Sequence, residues 1–307
     1  MGSTVVIGCT FVDLKGFPNH TYDPKGRNPG EVKIVHGGVG RNVAENFANV
    51  GMPVSYVGML EDSAVGRDVE RRLRGIGVDL DYVLTVPEDG IGMWLVILDE
   101  KGELAGSISK MPALSPLEAF LAQKGDEIIS AAGAVVLEMD LNERIAETVV
   151  DLAEKYEKRV YAVVGNLSVV LARRDLIRRT DCFICNVIEA AKFFGEAAAA
   201  DFTARRMLEF LPGAAKEAGI ASMVVTMGEQ GSVYYDGPAG TSGICPICPT
   251  EVVDTSGAGD AFFSGTVMGL IRGEPLSEAV RYGARLASAT ISREEACCPA
   301  DKEFFDR

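Results

Sequence analysis

The stretch with the plainest chemistry runs from Asp254 to Gly265 and reads Asp-Thr-Ser-Gly-Ala-Gly-Asp-Ala-Phe-Phe-Ser-Gly. Ahead of it lies a β-prone run, Glu251-Val252-Val253. Behind it Ala261, Phe262, Phe263, Val267, Met268, Leu270 and Ile271 recur with the apolar spacing of a helix. That order predicts a glycine turn at a helix start. Gly257 and Gly259 let the backbone take angles that a side chain resists, so successive N–H groups can point into one concavity at the positive end of the helix dipole. Such a concavity binds anions. Asp260 adds a carboxylate at its mouth, ill suited to a resting phosphate but placed to take the proton of a hydroxyl that attacks one. The pairing points to phosphoryl transfer.

Two further stretches carry polar groups where a ligand can reach them. Thr4 to Gly8 is a short β-branched run that passes through Cys9 to Asp13, a buried first strand with a carboxylate at its exit. His36-Gly-Gly-Val-Gly-Arg-Asn-Val-Ala-Glu-Asn-Phe-Ala-Asn-Val-Gly51 places Gly37 and Gly38 before a helix whose apolar positions are Val43, Phe47 and Val50. Paired glycines let a backbone approach a ligand closely, and Asn42 can both donate to and accept from a diol. A carboxylate satisfying turn N–H groups and a solvated asparagine would read the same way.

Together these motifs resemble the ribokinase-like PfkB family of carbohydrate and nucleoside kinases. Asp254 to Asp260 is similar to the family's C-terminal signature, His36 to Gly51 to its N-terminal one, and Asn186-Val-Ile-Glu189 to its Asn-x-x-Glu motif. Three motifs in the right order, spread over the whole chain, are far more specific than any one. The resemblance implies ATP-dependent transfer of a phosphoryl group to a primary hydroxyl. Asp260 would be the general base, with Gly257, Ala258 and Gly259 as the anion hole. Asp13, Gly37, Gly38, Arg41 and Asn42 would meet the acceptor. Thr226-Met-Gly228-Glu-Gln-Gly231, weak evidence alone, is similar to the family's nucleotide turn and makes Thr226, Gly228 and Gly231 nucleotide contacts. Asn186 and Glu189 would act on the phosphates, Glu189 through the waters of Mg²⁺, although a helix-capping Asn with a Glu three residues on has the same wording. In several members residues like Asp254 and Ser256 help hold a monovalent cation, so K⁺ is a further expectation at those two positions.

The elements that must position these groups follow from pattern. Strand-like and helical runs alternate at 55–60, 68–76, 134–138, 142–156, 160–164, 171–178, 182–186, 204–218 and 222–227. Such alternation predicts an α/β fold, a doubly wound and mostly parallel sheet with helices on both faces. The segments 14–35 and 90–109 are set apart. The first is polar and rich in Pro and Gly before an extended run at 31–35, and the second reads as a hairpin turning near Glu100-Lys-Gly102. By the resemblance they form a small β lid over the substrate, through which a homodimer can form. Glu196 to Ala200 reads as a loop or a helix end. Nothing marks two independently folding parts, so a single domain over 1–307 is expected.

Composition narrows the partners. With 307 residues, 47% hydrophobic content and a formal charge of −14, the chain can bury a sizeable core, and its acidity disfavours nucleic acid and anionic membrane as main partners, since both need clustered Lys and Arg. The N-terminus enters a strand directly, with no basic and apolar leader, and no run nears the ~18 apolar residues of a membrane span. These features read as cytoplasmic. Seven cysteines fit free thiols in a reducing compartment. Cys182-x-x-Cys185 and Cys245-x-x-Cys248 invite a zinc reading, but they lie far apart and the first falls in a strand pattern.

Finer wording bears on the acceptor. Gly37 to Asn46, with Leu98-Asp-x-x-Gly-Glu103 in the hairpin, is similar to the pseudouridine kinases of the family more than to its ribokinases, which usually carry lysine where Val39 stands. Arg41 offers a donor fork, and Met93-Trp94-Leu95 an apolar cover for a base. Two departures leave the nucleotide-base contacts open: Gly165-Asn166 replaces an aspartate-containing turn, and the late helix around Tyr282 to Ser288 lacks an asparagine that relatives place near adenine.

Overall fold

The computed structural model describes residues 2–100, 104–195 and 202–306. Strands β1 (Thr4–Ile7), β2 (Phe11–Pro18) and β3 (Gly30–Gly37) lead into helix α1 (Val39–Asn49), β4 (Val54–Glu61), α2 (Ala64–Ile76) and β5 (Val83–Val86). Then come the hairpin β6 (Gly92–Leu98) and β7 (Leu104–Lys110), α3 (Ser115–Ala131), β8 (Ala134–Glu138), α4 (Glu143–Lys155), β9 (Val160–Val163), α5 (Ser168–Ala172) and α6 (Arg174–Ile177). The remainder is β10 (Cys182–Asn186), α7 (Val187–Phe194), α8 (Ala204–Ala218), β11 (Ser222–Thr226), β12 (Ser232–Asp236), β13 (Thr241–Cys245), α9 (Ala258–Ile271) and α10 (Leu276–Ile291).

Nine strands form one sheet in the order β13-β12-β11-β10-β9-β8-β1-β4-β5. All neighbours from β11 to β5 run parallel, and β12 alone runs against the others, antiparallel to both β11 and β13. Strand alternation then divides the core. Val5, Ile7, Val135 and Leu137 face one way with α3 to α8, while Val6, Ala134 and Val136 face the other with α1, α2, α9 and α10. Helix α9 is apolar on every side, and ten of its fourteen residues are buried. Burying Phe263 alone is worth about 2–3 kcal/mol. The start of α9 is thus anchored by its own packing.

The small second sheet has the order β3-β2-β6-β7, which is the lid expected from the segments 14–35 and 90–109. Residues 101–103 of its hairpin turn and the Glu196 to Ala200 stretch lie outside the described residues. One local expectation fails. Residues 251–253 form no strand, and Val252 and Val253 are exposed, because no neighbouring strand offers this segment a ladder. β-Branched residues favour extension, but pairing makes a strand.

The cysteines are all free. Cys182 and Cys185 pack into opposite cores, one on each face of the sheet, so they cannot converge on one ion. Among the described residues no three His, Cys, Asp or Glu side chains gather as a metal site, and no helix is long and apolar enough to cross a membrane.

Candidate active site

Helix α9 begins just after Gly257, whose φ of 75° is left-handed and whose hydrogen, if replaced by Cβ, would strike the carbonyl of Ala296. Only glycine fits there. No side chain caps this helix start. The N–H of Ala258 turns back to the carbonyl of Thr255 at 3.2 Å, whereas those of Gly257 and Gly259 find no backbone acceptor among the described residues. A Cβ on Gly259 would meet nothing within 4 Å. The anion hole is therefore open at Gly257 and Gly259 and partly used at Ala258.

Asp260 stands in the first turn of α9 and accepts a hydrogen bond from Nδ2 of Asn42 at 2.6 Å. Burial pushes its carboxyl up to about 7, with the Asn42 bond pulling the other way and the charge of Glu138 adding to the rise. A carboxylate that titrates near neutrality is suited to take and release a proton. Ser264 returns a hydroxyl bond to the carbonyl of Asp260 at 2.6 Å, fixing that turn.

Gly37 and Gly38 deliver Asn42 to this place. Gly38 has φ of 96°, and a Cβ there would lie 2.5 Å from the carbonyl of Cys9. A Cβ on Gly37 would lie 2.6 Å from the carboxylate of Asp13, so its absence leaves that carboxylate its space. Burial raises the pKa of Asp13, opposed by Lys15 and Arg41. Asp13, Gly37, Gly38, Asn42 and Asp260 are thereby brought together from β2, the turn before α1, and α9.

Arg41 departs from its expected role. The side chain is buried, with Nε donating to Gly37 O at 2.9 Å and Nη2 to His36 O at 2.7 Å, and the remaining donors reaching Glu45 and Asn42 Oδ1. Its donors stitch the glycine turn to α1 and orient Asn42 instead of offering a free fork. The long side chain reaches its own backbone because Gly37 and Gly38 fold the chain back over it.

Asn186 and Thr226 pair at the carboxyl ends of the adjacent parallel strands β10 and β11. Glu189 accepts from Asn186 N at 2.8 Å and Asn186 Oδ1 from Glu189 N at 2.9 Å, a complete capping box on α7. The capping reading of that motif is therefore the one the structure shows, with only one Glu189 oxygen engaged in the bond to Asn186 N. Gly228 and Gly231 carry φ of 59° and 83° in the turn after Thr226. These five expected nucleotide contacts line one stretch of the carboxyl edge of the sheet, where ligands of open α/β sheets bind.

A cation at Asp254 and Ser256 does not fit. The ammonium of Lys15, from lid strand β2, donates to Asp254 Oδ2 at 3.0 Å and to Ser256 Oγ at 2.7 Å. The positions expected to receive K⁺ are already filled by a side chain.

Sequence reasoning passed over Lys15, Glu138 and Asp140. Glu138 ends β8 and accepts from the N–H groups of Cys9 at 2.9 Å and Gly40 at 3.0 Å, clamping the exit of β1 to α1. Asp140 follows it, taking the N–H of Asn166 at 3.2 Å, with Oδ1 lacking a partner among the described residues. Asp13 reads in the sequence as a carboxylate at the exit of the first strand, but β1 ends at Ile7 and Asp13 lies within lid strand β2, whereas Glu138 and Asp140, at and just after the end of β8, fit that signal.

A family model described as pfkB family carbohydrate kinase matches residues 1–303. The chain belongs to the PfkB family of carbohydrate kinases. It is a sugar or nucleoside kinase, a phosphotransferase with an alcohol group as acceptor. Among PfkB proteins, the guanosine-inosine kinase of Exiguobacterium acetylicum is 32% identical over 295 residues, 96% of this chain and 96% of that protein. The pseudouridine kinase of Escherichia coli is 28% identical over 291 residues, covering 94% and 90%. The crystal structure of a putative sugar kinase from Clostridium perfringens superposes with a TM-score of 0.80 at 26% identity, over 99% of this chain and 94% of that one. The ribokinase of Giardia lamblia reaches 0.85 at 20% identity, covering 100% and 99%, a likeness of fold.

Proposed function

We propose that this PfkB kinase transfers the γ-phosphoryl group of ATP to a primary hydroxyl of a nucleoside. The observation that carries the reading is Asp260, its carboxyl pushed up to about 7 and held by Asn42, at the head of a helix where the N–H groups of Gly257 and Gly259 are left open. The hydroxyl gives its proton to Asp260 as its oxygen bonds to phosphorus. The bond from phosphorus to the leaving ADP oxygen breaks, and the open N–H groups of Gly257 and Gly259 hold the charge that builds on the transferring group. Asp13 and Asn42 fix the acceptor's hydroxyls. Thr226, Gly228 and Gly231 hold the nucleotide. Glu189, with Asn186 beside it, would face the waters of an ATP-bound Mg²⁺, which would supply charge neutralisation at the phosphates. The setting this implies is the cytoplasm, where ATP is supplied.

Two readings of the acceptor have support. Higher identity to a guanosine-inosine kinase favours a purine nucleoside. The wording from Gly37 to Asn46 favours pseudouridine, and a pseudouridine kinase also matches nearly the whole chain. All three bases present lactam N–H and C=O edges. Steady-state kinetics with guanosine, inosine, pseudouridine, uridine, adenosine, cytidine, ribose and fructose decide among them. A kcat/KM highest for a free sugar would overturn the nucleoside reading and leave the kinase class standing. A kcat/KM for pseudouridine below those of guanosine and inosine would discard the pseudouridine choice.

The lid fits a second copy of this chain. Ile34, Leu14, Leu95 and Ile108 lie opposite one another across all four strands, a continuous apolar row on the lid's outer face. Ile34 is 64% and Ile108 70% exposed. A face of this kind covers itself in a two-fold dimer, since the same row presents to its own copy.

A further inference from the structure

The ammonium of Lys15 is 8% exposed at its side chain and comes from the lid, yet it ends on the two residues that lead into the nest. Asp254 serves two ends at once. Its Oδ2 takes the ammonium, and its Oδ1 takes the N–H of Ser256 at 2.8 Å, which shapes the turn just before Gly257. Burial pushes the Asp254 carboxyl up, but these bonds and the Lys15 charge outweigh it and hold the group ionised. On the same face of β2, two residues earlier, is Asp13. The lid strand therefore carries both an expected acceptor contact and the cation of the anion-binding turn.

We propose that Lys15 is the built-in cation of this kinase, occupying the Asp254 and Ser256 oxygens in place of a monovalent metal ion, so that turnover needs no K⁺. The inference rests on the kinase reading for its consequence in turnover, but not for the occupancy itself. A lysine ammonium is a compact unit charge whose donors suit two oxygens about 3 Å away, as K⁺ would use them. Once it is there, a second cation finds those oxygens engaged and the charge of Asp254 already balanced. The tether also differs from a free ion. A dissolved cation exchanges with solvent, whereas the ammonium of Lys15 is tethered to the lid strand. Lys15 is thus a positioning residue, acting on the transferring group through Asp254, Ser256 and the turn they hold.

The test compares KCl, NH₄Cl and NaCl with tetramethylammonium chloride at one ionic strength and one Mg²⁺ concentration, for the wild type and Lys15→Met. Wild-type turnover and melting temperature are expected to be the same in all four salts. Lys15→Met is expected to lose roughly tenfold or more in kcat, less than the about 10²–10³ of a donor that touches the reacting group, with a smaller change in acceptor KM. Its kcat and its melting temperature are expected to rise again in K⁺ or NH₄⁺ but not in tetramethylammonium. A wild type activated or stabilised several-fold more by K⁺ than by tetramethylammonium overturns the proposal. So does a Lys15→Met variant with unchanged kcat, or one whose melting ignores K⁺. If Lys15→Met does not fold, the wild-type salt series decides alone. If the wild type turns over no acceptor, the kinase reading falls, while the melting series still reports on the occupancy.

Discussion

Nδ2 of Asn42 lies 2.6 Å from Oδ2 of Asp260, which joins the helix after the lid to the helix that carries the nest. The two residues are far apart in sequence, and each is useful only where the other is. Asn42 is oriented by Arg41, and Arg41 by Glu45 and the carbonyls of the glycine turn. The buried Arg41–Glu45 ion pair thus sets the part-buried contact between Asn42 and Asp260. Glu45 in turn is held ionised by Arg41 and Arg72 against the cost of its burial.

Asp260→Asn is expected to keep ATP binding and to lower turnover by roughly 10²–10⁴-fold, the usual worth of a general base. Stability should move the other way. The carboxyl of Asp260 rises from 3.8 to about 7 on folding, so the folded state disfavours its ionised form. The neutral form's advantage is complete below the unfolded value, is lost as pH rises from there to about 7, and is absent above. The variant should therefore melt a few degrees higher than the wild type at pH 8, and by a smaller margin at pH 5. Calorimetry at the two pH values checks this, and a variant less stable at pH 8 contradicts the stated burial.

The same carboxyl should set the acid limb of the kcat/KM profile, near pH 7 in the free enzyme. Asn42→Ala removes the one hydrogen bond that lowers it, so the limb should shift to higher pH. At pH 7 the loss is expected to be roughly tenfold, narrowing toward pH 9 as the base ionises. A uniform loss at every pH would mean that Asn42 acts only on the acceptor.

Most of the fold was legible because it repeats a local pattern. Alternating strands and helices read out at 134–138, 142–156 and 222–227 almost as they stand, and the glycine turns at Gly38 and Gly257 take the left-handed angles their wording requires. What escaped was set by partners distant in the chain. Lys15 reads as an ordinary charge in a polar loop until the lid carries it onto Asp254. Arg41 reads as a free fork until Gly37 and Gly38 fold the chain over it. Residues 251–253 have strand composition but no strand to join. In each case the side chain's chemistry was visible and its neighbour was not.

The two nest glycines should separate in their effects. Gly257→Ala meets both a left-handed φ and the carbonyl of Ala296, so it should destabilise the fold as well as stop turnover. Gly259→Ala points its methyl into open space, so stability should hold or rise by up to about 1 kcal/mol as helix propensity improves. Its loss should fall on kcat, with acceptor affinity by calorimetry little changed. A Gly259→Ala variant with full turnover would remove this glycine from the anion hole.

The lid row makes the last prediction. If Ile34, Leu14, Leu95 and Ile108 close against their own copy, a charge placed at either end of that row must be buried unpaired in the interface, twice per dimer by the two-fold symmetry. Ile108→Asp and Ile34→Asp should therefore turn a two-chain particle into a one-chain particle in sedimentation equilibrium at micromolar concentration. Because the row lies on the face opposite Asp13 and Lys15, circular dichroism and ATP affinity should remain close to wild type. A wild type that sediments as one chain, or an Ile108→Asp variant that stays two, removes the lid from the interface.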